Sequence, residues 1–172
     1  SSSSVYLSTA TNSSNFAFGT GDFTIECWIY TIAAGTYTFY DQRALGVNDL
    51  SPTLYLNSNS ITFFTNGADR INGSALTNAT WNHIALVRIS GSTKLYLNGT
   101  QTGSTYTDSN NYINTSGRPY IGGGSIVVGQ NPLNGYITNL RVVKGVGVYT
   151  GTFTAPAAPL QSTQSSGTNI SG

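Results

Sequence analysis

The sequence predicts an all-β chain, an antiparallel β-sandwich of the jelly-roll kind, and three observations predict it. Apolar residues recur with a period of two almost everywhere, as strands with one buried face require. Turn signals built on Gly, Asn and Ser recur between short apolar runs, the spacing of sandwiches and jelly rolls. No window sustains the 3.6-residue period of an amphipathic helix, and Gly, Thr and β-branched residues are spread throughout. The length of 172 residues suits one domain with one core.

Taken in order, residues 1–4 read as linker, 5–160 as the domain, and 161–172 as a Ser/Gly-rich linker or tail. Within the domain, Phe23, Ile25, Cys27 and Ile29 share one face of a strand, and Thr24, Glu26, Trp28 and Tyr30 share the other. Residues 37–40 form a second short strand. Residues 54–57 and 60–65 form a hairpin closed by Ser58-Asn59. Residues 80–89 make the longest strand, and Ser90-Gly91-Ser92 turns it into 94–98. Asn98-Gly99 is a type I′ turn signal, because both central residues must adopt positive φ. Residues 118–121 and 135–143 add two strands, while the polar stretch 100–117 reads as a long surface loop. The chain contains no Met, so it is expected to be part of a longer product.

Charge is scarce. Only 8% of residues are Asp, Glu, Lys or Arg, and the net charge is +1. Polar character comes instead from Ser, Thr and Asn, 62 residues together, while Leu, Ile, Val and Phe supply 40. That much apolar material excludes a disordered chain, and the missing basic field excludes nucleic acid and anionic lipid as partners. No apolar run is long enough to insert into a membrane. Net charge near zero gives weak self-repulsion, which suits packing against copies of the same chain.

Chemistry-bearing residues are correspondingly few. Cys27 has no disulfide partner and alternates with core residues, so it reads as a small buried hydrophobe. His83, the single histidine, lies mid-strand and reads as structural; one His and one Cys do not make a zinc site. Glycoside hydrolysis needs two carboxylates about 5–9 Å apart. Glu26 is the single Glu, and the five Asp (22, 41, 49, 69 and 108) are scattered, which argues against catalysis. The six N-x-[ST] sequons match what so much Ser, Thr and Asn produces by chance.

Several segments in order resemble one family. Residues 18–29, FGTGDFTIECWI, are similar to an F-G-x-G-D-F-T-I-E-x-W strand; residues 81–88, WNHIALVR, to a W-x-H-x-A-x-x-R strand. KLYLNG at 94–99 resembles an L-Y-L-N-G hairpin, and 133–142 a closing G-x-I-x-x-L-R strand. The family is the concanavalin A-like lectin/glucanase fold in its laminin G-like branch. Glucanases of that fold carry E-x-D-x-E on one strand, whereas Glu26 is followed here by Trp28 and Tyr30. The segment 142–156 resembles the ending of laminin G-like modules in bacteriophage structural proteins.

The resemblance implies a non-catalytic module of a virion, in capsid decoration or a tail fibre. Its partners would be other virion or surface-structure proteins, copies of itself and cell-surface glycans. A cellular adhesin or surface-filament module is the alternative, and a glycosidase the least favoured. No cofactor is required. Laminin G-like sandwiches often hold calcium at one rim, and Asn48-Asp49 and Asp108-Ser109-Asn110-Asn111 are the loop candidates for it. For glycans, Tyr106 and Tyr112 flanking Asp108 and Asn110 form the candidate contact loop, pairing aromatic rings with amide and carboxylate groups.

Overall fold

A computed structural model describes residues 5–9, 14–113, 119–158 and 160. The predicted linkers at 1–4 and 161–172, and Arg118 of the predicted strand 118–121, lie outside the described residues. Among the described residues, eleven strands run in chain order: β1 (Leu7–Ser8), β2 (Phe23–Thr31), β3 (Tyr37–Asp41), β4 (Thr53–Asn57), β5 (Ser60–Thr65), β6 (Ala68–Ala75), β7 (Trp81–Ile89), β8 (Ser92–Leu97), β9 (Thr100–Thr107), β10 (Tyr120–Ile121) and β11 (Gly135–Lys144). They form two antiparallel sheets, ordered β1-β10-β3-β4-β5-β6 and β11-β2-β7-β8-β9, a jelly-roll sandwich. One 3-10 turn, Ser14–Phe16, is the single helical element among the described residues.

The core lies between the sheets. Phe23, Ile25, Cys27 and Ile29 of β2 meet Ile84 and Leu86 of β7 and, across the gap, Phe39, Leu54, Leu56, Ile61 and Phe63. Period-two burial creates that face, and removing each large side chain from water is worth about 1.5–3 kcal/mol. Cys27 is buried here, and burial pushes its thiol up to about 12. The predicted turns hold: Ser58 and Asn59, like Asn98 and Gly99, all have positive φ.

The predicted loop 100–117 is corrected in its first half. Residues 100–107 are β9, paired with β8 from Leu97↔Thr100 to Ser92↔Thr107. β6 was likewise not foreseen. Both are edge strands, and neither carries an apolar alternation: β6 has one buried apolar side chain, Ile71, and β9 is mostly Thr, Ser, Gln and Gly.

A second apolar cluster covers the outer face of the five-stranded sheet. Val148, Tyr149 and Phe153 pack on Ala85, Val87 and Tyr96. The segment 145–156 is held by Gly145 N–H to Asp22 O (2.7 Å), Val148 N–H to Thr24 Oγ1 (2.9 Å) and Phe153 N–H to Gly99 O (3.0 Å). Gly147 is demanded there, because a Cβ would overlap Ile89 and crowd the Arg88 carbonyl. His83 is buried, as expected, but beneath this strap rather than between the sheets.

Candidate functional site

Among the described residues, no comparable apolar strap covers the outer face of the six-stranded sheet, which holds an open groove of about 360 Å³. That is within the range of small-ligand sites, about 300–1,000 Å³. Its floor is aromatic. Tyr55 of β4 alternates with buried Leu54 and Leu56 and therefore points outward, and Phe64 of β5 lies beside it. Asn48, Arg43, Gln130 and Asn131 supply the polar walls.

One buried carboxylate fixes those walls. Asp41, at the end of β3, accepts from Arg43 Nε (2.8 Å), Arg43 N–H (3.1 Å) and Thr53 Oγ1 (2.9 Å) on Oδ1. Its Oδ2 accepts from Arg43 Nη2 (2.7 Å) and Ser125 N–H (2.9 Å). A buried charge is tolerable only when paired and hydrogen-bonded, and here both conditions are met. The same five bonds join β3, β4 and the 122–131 segment. Arg43 Nη1 donates to Asn48 Oδ1 at 2.7 Å, and the guanidinium lies 4.9 Å from the Phe64 ring centroid. Asn131 accepts Thr38 N–H at 2.8 Å, which docks the far wall on β3. Tyr55 donates its hydroxyl to Asp69 Oδ1 at 2.8 Å.

Rings on the floor can stack on the C–H face of a sugar, and amides on the walls can exchange hydrogen bonds with its hydroxyls. Arg43 is already neutralised by Asp41, so the groove offers no free cation to an acidic sugar.

The four residues predicted from the sequence, Tyr106, Asp108, Asn110 and Tyr112, are brought together; Asp108 and Tyr112 are turned inward, while Tyr106 and Asn110 are half-buried. Asp108 and Tyr112 are each 1% exposed. Asp108 Oδ2 accepts from Thr93 Oγ1 (2.7 Å) and Tyr112 OH (2.8 Å), and Oδ1 from Asn110 N–H (3.1 Å). Asn110 Nδ2 donates to the hydroxyls of Tyr106 (3.2 Å) and Tyr112 (3.3 Å). Arg88 donates to the carbonyls of Asp108 (2.7 Å) and Asn110 (3.1 Å) and lies 5.3 Å from the Tyr112 ring centroid. Burial and the neighbouring Asp108 carboxylate raise the Tyr112 pKa, so the hydroxyl stays a donor. The expectation is corrected for Asp108 and Tyr112: a ring with no exposed face cannot stack on a sugar, and the knot instead pins the 108–112 loop to the sandwich.

Of the calcium candidates, Asp108, Asn48 and one oxygen of Asp49 accept from the protein's own donors, while Asp49 Oδ1 is buried with no hydrogen-bond partner among the described residues. Asp108 is spent in that knot, Asn48 Oδ1 accepts from Arg43, and Asp49 Oδ2 accepts Ala44 N–H at 3.1 Å. Among the described residues no three His, Cys, Asp or Glu side chains cluster in a way that could hold a metal ion.

Glu26 lies under the strap. Arg141 reaches its Oε1 with Nε (2.8 Å) and Nη2 (2.5 Å), while Tyr149 OH (2.7 Å) and His83 Nε2 (3.1 Å) meet Oε2. Burial works to raise its pKa, but the bonds from His83 and Tyr149 and the Arg141 charge outweigh it and the net direction is down. Glu26 is therefore a buried, ionised carboxylate in a structural network. It has neither the raised pKa nor the open face of a general acid.

The profile of the Laminin_G_3 family, described as the concanavalin A-like lectin/glucanases superfamily, matches residues 2–146. The chain belongs to that superfamily. No curated protein matches it. Among solved structures, a Bacteroides ovatus protein inferred to bind carbohydrate is similar with a TM-score of 0.61 at 19% identity, over 80% of this chain and 40% of that one. The heptameric SAP-like pentraxin of Limulus polyphemus gives 0.59 at 16% identity, over 87% and 71%. Domains LG4-5 of the mouse laminin α1 chain give 0.59 at 14% identity, over 80% and 38%. At such identities the likeness is one of fold, and this chain spans well under half of the Bacteroides and laminin chains.

Of the groove residues the sequence singled out Asn48 alone, and as a calcium candidate rather than a glycan contact. Tyr55 carried a signal, an aromatic at an outward position of the Leu54-Tyr55-Leu56 alternation. Arg43, Gln130 and Asn131 carried none, because they meet only when residues 43–48 and 130–131 fold over β4 and β5.

Proposed function

We propose that the chain is a non-catalytic glycan-binding module that holds a neutral sugar in the groove over Tyr55 and Phe64. The observation that carries this reading is the pairing of an uncovered aromatic floor with walls already locked by Asp41. Preorganised polar groups lose little freedom on binding, so a modest contact area yields useful affinity. The neutralised Arg43 points to hexoses and N-acetylhexosamines rather than sialic acids or uronates. The lack of a second carboxylate among the polar partners of Glu26 supports binding without hydrolysis.

The proposed setting is a virion, as a capsid-decoration or tail-fibre protein arrayed with copies of itself and with other virion proteins. It rests on the likeness of residues 142–156 to phage structural modules and on the near-neutral charge. Multivalent display would compensate for weak single-site affinity.

A glycan array followed by calorimetry tests the reading. Wild type is expected to bind neutral glycans, and Tyr55→Ala and Asn131→Ala to weaken that binding about tenfold each, the equivalent of one lost stacking or hydrogen-bonding contact. Unchanged affinity in both variants, or reducing ends released from the bound glycan, overturns it.

A further inference from the structure

The strap covers only part of the outer face of the five-stranded sheet. Beyond it, where β11 and β7 begin and β2 ends, the register sets Tyr136 opposite Tyr30 and Tyr30 opposite Trp81. The three rings stand in a line across three neighbouring strands. Tyr30 is 5.9 Å from Tyr136 and 5.6 Å from Trp81 between ring centroids, with the planes inclined at 57° and 62°. Tyr136 is 60% exposed and Trp81 45%. Trp28, two residues before Tyr30 on the same face, extends the aromatic surface toward His83.

Thr138, Asn139 and residues 156–158 border a shallow depression beside Trp28 and Trp81, and none of the residues lining it is charged. Asn139 sits at φ 51 in the irregularity between Thr138 and Arg141, with its side chain exposed. An amide is thus held beside the rings. A contiguous exposed aromatic surface marks an interaction site. Without a cation it cannot attract an anionic lipid surface or nucleic acid. The rings follow one another at a spacing close to the length of a pyranose unit, so successive sugars of an extended chain can each meet a ring. Asn139 and Thr138 can exchange hydrogen bonds with the hydroxyls at its edge.

We propose that the Tyr136–Tyr30–Trp81 row is a second glycan-binding surface, for an extended neutral polysaccharide, on the face of the sandwich opposite the groove. It rests on the reading of the chain as a glycan-binding module and adds to it that one copy can bridge two polysaccharide strands.

The chain's two tryptophans, Trp28 and Trp81, both lie on this surface and neither lines the groove. Tryptophan emission therefore reports this site alone. Wild type, Tyr55→Ala, Tyr136→Ala and Trp81→Ala would be titrated with soluble β-1,3-glucan, β-1,4-glucan, mannan and galactomannan. Emission and retardation in polysaccharide-containing native gels would be followed together, with sedimentation velocity on each variant.

One polysaccharide is expected to shift the emission of wild type and Tyr55→Ala at the same midpoint. Tyr136→Ala should move that midpoint about tenfold, and Trp81→Ala should lose retardation by at least as much. Retardation that Tyr55→Ala abolishes, with no emission change in wild type, overturns the second surface and leaves the groove standing. Retardation untouched by Tyr55→Ala but lost in Tyr136→Ala supports the second surface, and the groove is then judged by the glycan array with Tyr55→Ala and Asn131→Ala. No retardation with any polysaccharide overturns both. A wild-type dimer that Tyr136→Ala or Trp81→Ala dissociates also overturns the second surface, since a copy of the chain would then cover the row.

Discussion

Replacing Glu26 with Gln tests whether the network under the strap holds the fold. The carboxylate accepts from Arg141 at 2.8 and 2.5 Å and from Tyr149 at 2.7 Å, and it faces His83 at 3.1 Å. Gln keeps the shape, removes the charge and turns an N–H₂ group toward donors. It leaves the Arg141 guanidinium buried with no counterion on Glu26's side chain. Breaking a buried pair this way costs about 3–5 kcal/mol, a large share of a total near 5–15 kcal/mol. For a domain of this size each kcal/mol moves Tm by roughly 2–4 °C, so a fall of about 10 °C is expected. The pH dependence supplies an independent check. Glu26 has a folded-state pKa below its ordinary 4.5. Its contribution is therefore fully present above about pH 4.5 and is lost as pH falls through the lower folded value. The stability gap between wild type and Glu26→Gln should be widest at neutral pH and shrink below pH 4.5. Urea melts at several pH values measure it. A gap under 1 kcal/mol at pH 7, or one that does not narrow in acid, would refute the reasoning.

Four further outcomes are expected. Tyr149→Phe, which keeps the stack on Phe153 and removes the bond to Glu26, should cost about 1.5–3 kcal/mol in urea melts, as for a hydrogen bond to a charged group. Gly147→Ala should cost about 1–3 kcal/mol, because its Cβ has to displace Ile89 or the Arg88 carbonyl, again read from urea melts. Cys27, buried and with its thiol pushed up to about 12, should resist a thiol reagent at pH 8 in the native state and react only at the rate of unfolding. Asp41→Asn should loosen Arg43 and the segment around Ser125, and calorimetry should show weaker glycan binding together with a lower Tm.

The sheets were legible in the sequence where burial is one-sided. Phe23-Thr24-Ile25-Glu26-Cys27 alternates because one face of β2 meets the core, and the Asn98-Gly99 turn is written in residues that tolerate positive φ. β6 and β9 were not legible, since an edge strand with a single large apolar residue, Ile71 in β6 and Tyr106 in β9, has no apolar face to betray its period. The 106–112 loop misled for a related reason. Tyrosine, Asp and Asn in a polar stretch are the groups that bind a sugar, and equally the groups that close a loop on itself. Sequence holds no record of which way Tyr112 faces; Arg88, 24 residues earlier, decides it by drawing the carbonyls of Asp108 and Asn110 inward.

The strap separates the two outer faces of this sandwich chemically. On the five-stranded sheet, the outward positions of β2 and β7 carry Glu26 and His83, and β11 adds Arg141, polar groups that water would otherwise solvate. Covering them with Val148, Tyr149 and Phe153 removes water and forces the charges to satisfy one another. On the six-stranded sheet the corresponding charge pair, Asp41 with Arg43, is satisfied within the sheet and its adjoining loop. No cover is needed there, and Tyr55 and Phe64 remain open. Each face thus neutralises its charges by its own means. A chain with so few charges can then keep both faces largely polar, with single charges such as Asp69, bonded to Tyr55, and Lys94 at their margins, which suits neutral glycans better than anions.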